Sequence, residues 1–138
     1  STKLLTLLMG KRILLAEDNE LNAEIAITIL EEEGLKVEWA EDGIKCLEML
    51  KKVPEDYYDM ILMDIQMPNM DGYRTTEEIR SLPDKRAQIP IVAMTANVFD
   101  EDKKKAYEAG MNGYIAKPID TKAIFSTLGE ILQEKSEN

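Results

Sequence analysis

Short apolar runs and helical patterns alternate five times along the chain. Ile13-Leu14-Leu15-Ala16 is a compact apolar run that ends in acids. From Asn19 to Glu33, Leu21, Ile25 and Ile29 recur at helical spacing, and Gly34 supplies a stop. Leu35, Val37 and Trp39 then alternate with polar residues, the pattern of a strand with one solvated face. Asp42 is placed to cap a second helix carrying Ile44, Leu47 and Leu50. Met60 to Met63 forms the third strand, again running into an acid, and a third helix starts at Asp71-Gly72. Ile91 to Met94 is the fourth strand, with Pro90 at its entry, where a missing N–H does least harm. Asp100 or a neighbour caps a charged fourth helix that ends near Gly110, and Tyr114 to Ala116 is a short fifth strand. Asp120 caps a last amphipathic helix with Ile124, Leu128, Ile131 and Leu132 on one face.

Strands that alternate with helices in this way predict an α/β fold. The expected form is a parallel sheet with helices on both faces. Strands one, three and four are apolar throughout, as buried central strands must be, and the alternating second strand belongs at an edge. A five-stranded, doubly wound sheet with five helices follows. The domain is expected over residues 12–133, with 1–11 as linker or tail and 134–138 as a C-terminal tail. The chain opens with Ser rather than Met, which fits either a stand-alone regulator or a piece cut from something longer.

Composition narrows the function. The net charge of −10 argues against direct nucleic-acid binding, which needs Lys/Arg footprints on phosphates, and against an anionic membrane surface. No run approaches the roughly 20 apolar residues that span a bilayer, so membrane insertion of this domain is not expected. Cys46 is the only cysteine, so no internal disulfide forms, and a reducing cytoplasm fits. Histidine is absent altogether. Any histidine chemistry must therefore come from another domain or molecule.

The candidate chemistry lies just past the apolar runs, where open α/β sheets carry their sites. Strand one ends in Glu17-Asp18, strand three in Asp64, strand four in Thr95-Ala96-Asn97 and strand five in Lys117-Pro118. Singly, each reads equally well as a cap, a turn or a solvated loop residue. Together they deliver three carboxylates, a hydroxyl and an ammonium to one rim. The net negative charge left there is cancelled by one divalent cation, and all-oxygen ligation suits Mg²⁺. A carboxylate beside such an ion can act as a nucleophile toward phosphorus, with Thr95 and Lys117 neutralising the phosphoryl oxygens.

At this point the residues resemble a family, the response-regulator receiver domains of two-component signalling. Four stretches carry the likeness in order and spacing: Ile13 to Asn19, Leu62 to Gly72, Pro90 to Ala96 and Gly113 to Pro118. Their wording is most similar to receivers attached to hybrid sensor histidine kinases. The resemblance implies a flavodoxin-like sheet of strand order 2-1-3-4-5. It implies Asp64 as the phosphoacceptor, and Mg²⁺ held by Asp18, by Asp64, by the Gln66 main-chain carbonyl and by Glu17 through water. Thr95 would bond a phosphoryl oxygen and, with Tyr114, form a conformational switch. Lys117 would pair with the phosphate, and its bond to Pro118 would be cis. Gln66 and Asn97, each two places after a key residue, would tune the lifetime of the phosphoryl group.

The implied partners are a kinase or phosphotransfer domain bearing phosphohistidine, which docks near the first helix, and a downstream protein or covalently attached kinase domains. The domain would take up and lose its own phosphoryl group without turning over a separate substrate. Three rivals are weaker, and the first, a degenerate receiver used only as a binding module, is opposed by the intact set of acids, Asp64, Thr95 and Lys117. A Mg²⁺-dependent phosphatase or mutase needs a second Asp two places after the nucleophile, where this chain has Gln66. A flavin or nucleotide binder needs a Gly- or Ser/Thr-rich loop after a strand, and the first loop here is Glu17-Asp18-Asn19-Glu20.

Overall fold

A computed structural model describes residues 6–96 and 99–137. Five strands, β1 (Arg12–Ala16), β2 (Lys36–Ala40), β3 (Met60–Asp64), β4 (Ile91–Thr95) and β5 (Gly113–Ala116), form one sheet. Its order is β2-β1-β3-β4-β5, and every pairing is parallel. Besides a helical turn at residues 6–8, the described residues form five helices that connect and flank the strands: α1 (Glu20–Glu32), α2 (Gly43–Lys51), α3 (Gly72–Arg80), α4 (Asp100–Ala109) and α5 (Thr121–Glu137). A 3-10 turn at Lys85–Gln88 leads into β4.

Side chains alternate across a strand, so each strand feeds two cores. Ile13, Leu15, Leu62, Val92 and Met94 pack with Ala23, Ala26 and Leu30 of α1 and with Ile124, Leu128, Ile131 and Leu132 of α5. Leu14, Ile61, Met63, Ile91 and Ala93 face the other way, onto Cys46 and Leu50 of α2, Ile79 of α3 and Ala106 of α4. β3 and β4 are buried at all five positions, as central strands covered on both faces must be. Edge strand β2 keeps only Ala40 buried.

Several expectations are changed by the structure. Leu21 and Ile25 do not pack on the sheet, being 64% and 46% exposed, whereas Ile29 is half-buried against the first core. The buried face is Ala23, Ala26 and Leu30, because small alanines let the helix lie close to the sheet. The segment read as linker also contributes to the fold. Residues 6–8 are helical, Leu8 is buried in the first core, and the Gly10 N–H donates to the Gly34 carbonyl at 2.9 Å. At the other end α5 continues through Glu137, so residues 134–137 extend a helix rather than a loose tail. At the start of α4 the N-cap is Phe99, the neighbour of Asp100, and it makes no side-chain cap bond. Asp100, Glu101 and Asp102 fill the first turn instead, where carboxylates favour the helix dipole.

Candidate functional site

All strands run the same way, so their carboxyl ends share one rim. Glu17 and Asp18 stand in the turn between β1 and α1, Asp64 and Thr95 close β3 and β4, and Lys117 follows β5. β1 and β3 are neighbours in the sheet but not in sequence. The acids therefore meet where the strand order reverses, the usual site in open α/β sheets.

One carboxylate oxygen from each of Glu17, Asp18 and Asp64 lies within 4.8 Å of the others. Glu17 is 2% exposed and Asp64 5%, while Asp18 faces solvent. Two buried carboxylates this close lose hydration and repel each other. Lys117 compensates both: its Nζ donates to Glu17 Oε1 at 2.8 Å and lies 3.1 Å from Asp64 Oδ2. The Lys117 N–H donates to the Thr95 carbonyl at 2.9 Å, which fixes the start of the lysine against β4. The Lys117–Pro118 bond is cis.

The remaining bonds lock Glu17. Its N–H donates to the Ala40 carbonyl at 3.1 Å, and its Oε2 accepts from the Asn19 N–H at 3.1 Å. Its carbonyl accepts from the Trp39 indole N–H at 2.7 Å. Asn19 in turn caps α1, accepting from the Asn22 N–H at 2.9 Å.

This environment splits the two buried acids. Burial, then a hydrogen bond and repulsion from Glu17, push the Asp64 carboxyl up to about 7. Burial also acts upward on Glu17. Bonds from Lys117, the Asn19 amide and Asp64 outweigh it and hold that carboxyl below its ordinary value. For Lys117 burial works downward, but the bonds and charges of Glu17 and Asp64 prevail and raise it. The lysine is therefore firmly cationic, and Asp64 is the acid left short of positive charge.

The loop after β3 is shaped by a glycine. A Cβ on Gly72 would stand 2.5 Å from the Asp64 carbonyl oxygen and 2.8 Å from Ile65 Cα. Without it, the Gly72 N–H donates to the Ile65 carbonyl at 2.8 Å. Asp71 is the N-cap of α3, accepting from the Arg74 N–H, and takes a structural part as the sequence suggests.

Glu17, Asp18, Asp64, Gln66, Thr95 and Lys117 line one cleft of about 250 Å³. The structure thus brings together six of the eight candidate residues. Tyr114 is not in the cleft. It sits half-buried on β5, its ring edge-on to Tyr107 with centroids 6.1 Å apart and Lys103 Nζ 4.8 Å from its centroid. Asn97 lies outside the described residues. Asn19, Ala96 and Trp39 also belong to the surroundings of the site, although the sequence pattern assigns none of them a part in it. Asn19 carries a legible cap signal, whereas the Trp39 bond joins two strands and leaves no local trace.

Sheet order and an acid-lined rim bridged by lysine define a doubly wound signalling domain of the two-component type. The family model for the response regulator receiver domain matches residues 13–129, and the chain belongs to that family. It is 44% identical over 130 residues to Histidine protein kinase 1 of Candida albicans, covering 86% of this chain and 5% of that protein. It is 35% identical over 133 residues to Hybrid signal transduction histidine kinase K of Dictyostelium discoideum, covering 92% of this chain and 11% of that protein. The chain thus spans only a small part of the curated relatives it matches. Among solved structures, it is 38% identical to the receiver domain of a sensor histidine kinase from Pseudomonas aeruginosa PAO1. The TM-score is 0.74, with 91% of this chain and 96% of that one covered. That structure has a magnesium ion coordinated in the active site cleft. Among the described residues of this chain, no helix is long and apolar enough to cross a membrane.

Proposed function

We propose that Asp64 accepts a phosphoryl group from a phosphohistidine on a kinase or phosphotransfer domain, with Mg²⁺ bound at the rim. The observation that carries this reading is the place of Asp64: buried, 3.1 Å from the Lys117 ammonium, and within 4.8 Å of two further carboxylates. Such a donor set is all oxygen and carries excess negative charge, which fits Mg²⁺. Glu17, Asp18, Asp64 and the Gln66 main-chain carbonyl would hold it, Glu17 through water. Bound there, the ion supplies charge neutralisation for phosphoryl oxygens.

The protein's own groups do the rest. An Asp64 carboxylate oxygen attacks phosphorus in line, the P–N bond to the donor histidine breaks, and its electron pair stays on the imidazole, which takes up a proton from solvent. Lys117 is poised to pair with the transferred group, and the Thr95 hydroxyl to bond one of its oxygens. Those contacts exist only in the phosphorylated state, so they shift the population toward a conformation in which Thr95 moves inward and Tyr114 changes rotamer. Gln66, which lines the acid cleft, and Asn97, two places after Thr95 in the sequence, would set the lifetime of the aspartyl phosphate. The domain turns over no separate substrate. Its one cysteine and its partner chemistry suit the cytoplasm.

The donor docks on the exposed apolar ridge of α1. Ile25, with Ala96, Pro118 and Ile119, lines a cleft of about 340 Å³ that also includes Glu17 and Lys117. An apolar surface opening onto the acid rim suits a helical partner that presents a phosphohistidine. Readout passes to a downstream protein or attached kinase domains over α4, β5 and α5.

The test is incubation with acetyl phosphate, with and without Mg²⁺, followed by intact mass. Wild type gains one acid-stable, base-labile phosphoryl group when Mg²⁺ is present, and Asp64→Asn gains none. Equal labelling of Asp64→Asn rejects the assignment. Turnover of phosphate monoesters would favour the phosphatase alternative instead.

A further inference from the structure

Trp39 is the only tryptophan of the chain and sits on edge strand β2, opposite Leu15 of β1. It is 37% exposed, yet its indole N–H donates to the main-chain carbonyl of Glu17 at 2.7 Å. That carbonyl belongs to the peptide that joins Glu17 to Asp18. The β1–β2 ladder ends at Ala16 and Ala40, with one further bond from the Glu17 N–H to the Ala40 carbonyl. Beyond Ala40 the chain turns into Asp42, the N-cap of α2, and the donor for the Glu17 carbonyl is a side chain.

The consequence is geometric. A peptide unit is planar, so once its carbonyl is held the following N–H and Cα are held with it. The bond to Trp39 therefore fixes where the chain leaves Glu17 and how Asp18 is presented. On one side of that peptide Glu17 is buried against Lys117, and on the other Asp18 faces the rim, with a carboxylate oxygen of each within 4.8 Å of one of Asp64. Holding ligands in place before an ion arrives lowers the ordering cost of binding it.

We propose that Trp39 is a positioning residue for the cation site: its indole fixes the Glu17–Asp18 peptide and so presets Asp18 against Asp64. The proposal rests on the Mg²⁺ reading given above.

The test compares wild type with Trp39→Phe, which keeps a ring and removes the donor. Mg²⁺ is titrated by calorimetry, and thermal midpoints are read with and without the ion. The variant is expected to bind Mg²⁺ roughly three- to tenfold more weakly, the worth of one net hydrogen bond. The Mg²⁺-dependent rise in its midpoint shrinks accordingly. In wild type, the emission of the lone indole changes along the calorimetric binding curve. A folded variant with unchanged Mg²⁺ affinity overturns the proposal, even if its metal-free midpoint falls, because that is the signature of packing alone. Should the variant not fold, wild-type emission decides: binding seen by calorimetry with no change in emission overturns the role. If wild type binds no Mg²⁺ at all, the metal reading itself fails and this inference with it. Failure confined to Trp39→Phe leaves that reading standing.

Discussion

Nζ of Lys117 lies 3.1 Å from Oδ2 of Asp64, two strands away across the rim. The same ammonium is shared with Glu17, whose Oε1 it meets at 2.8 Å. One lysine thus bridges both buried acids of the resting site and is already placed beside the atom that would receive phosphorus.

Replacing that lysine separates the two roles. Lys117→Gln leaves Glu17 and Asp64 buried against each other without a counter-charge. Breaking a buried pair in this way is expected to cost about 3 kcal/mol in Mg²⁺-free buffer, with part recovered when Mg²⁺ is added. Uptake of phosphoryl from acetyl phosphate should fall roughly 100-fold or more, the usual scale for loss of one preorganised charge stabiliser. Urea unfolding with and without Mg²⁺, together with labelling rates, checks both. Labelling near the wild-type rate would remove Lys117 from the chemistry.

Asp64 also gives the metal-free domain a pH dependence of unusual sign. Its carboxyl is raised from an ordinary 3.8 to about 7, chiefly by burial. The native state therefore holds a proton that the unfolded chain has released. The associated stability is complete below pH 3.8 and is lost as pH rises through about 7. Glu17 is shifted the opposite way, so its contribution is lost only as pH falls below its ordinary 4.5. With no histidine in the chain, no other side chain of ordinary pKa titrates between about pH 5 and 8. In EDTA, unfolding free energy is expected to decline from pH 5 to pH 7.5. In saturating Mg²⁺, which favours the ionised carboxylate, the decline should vanish or reverse. A flat profile in EDTA would contradict the assigned burial of Asp64.

Gly72 tests how tightly Asp64 is held from behind. Gly72→Ala puts a methyl group 2.5 Å from the Asp64 carbonyl oxygen, and the atom it meets is backbone. Relief requires α3 to move away from β3. The expected cost is about 1–3 kcal/mol, with slower acetyl-phosphate labelling because Asp64 shifts with its strand end. Thr76→Ala is the control: Thr76 is also buried on α3, but its hydroxyl donates to the Gly72 carbonyl within the helix. Destabilisation by Gly72→Ala without any change in labelling rate would limit the glycine to a packing role.

The sheet was legible because central and edge strands differ in chemistry. The uninterrupted apolar runs at Ile61–Met63 and Ile91–Met94 are buried on both faces, and the alternating run at Val37–Trp39 is the edge. The acid rim was legible because each acid or base follows directly on a strand. What the pattern misassigned was the inner face of α1. Leu21 and Ile25 outweigh Ala23 and Ala26 in hydrophobicity, so periodicity favoured the wrong stripe, although Ile29 does pack against the core. Close approach of helix to sheet selects small residues, which carry little weight in an apolar count. The Trp39–Glu17 bond and the Leu8 contact were not legible at all, since both join segments distant in sequence.

That misassigned stripe yields the last prediction. Leu21 and Ile25 are large, apolar and exposed on the helix that borders the acid rim, and Ile25 lines the cleft beside Lys117. They contribute little to the core, so Leu21→Ser with Ile25→Ser should change stability by no more than about 0.5 kcal/mol. A small phosphodonor needs no docking surface, and labelling by acetyl phosphate should match wild type. A donor protein does need one, and apolar anchors at an interface commonly carry 1–2 kcal/mol or more each. Transfer from a phosphohistidine-bearing domain is therefore expected to slow at least tenfold. Running both donors side by side separates the outcomes. Loss of both activities would place these residues in the reaction itself, and retention of both would mean that the donor approaches the rim from a face other than α1.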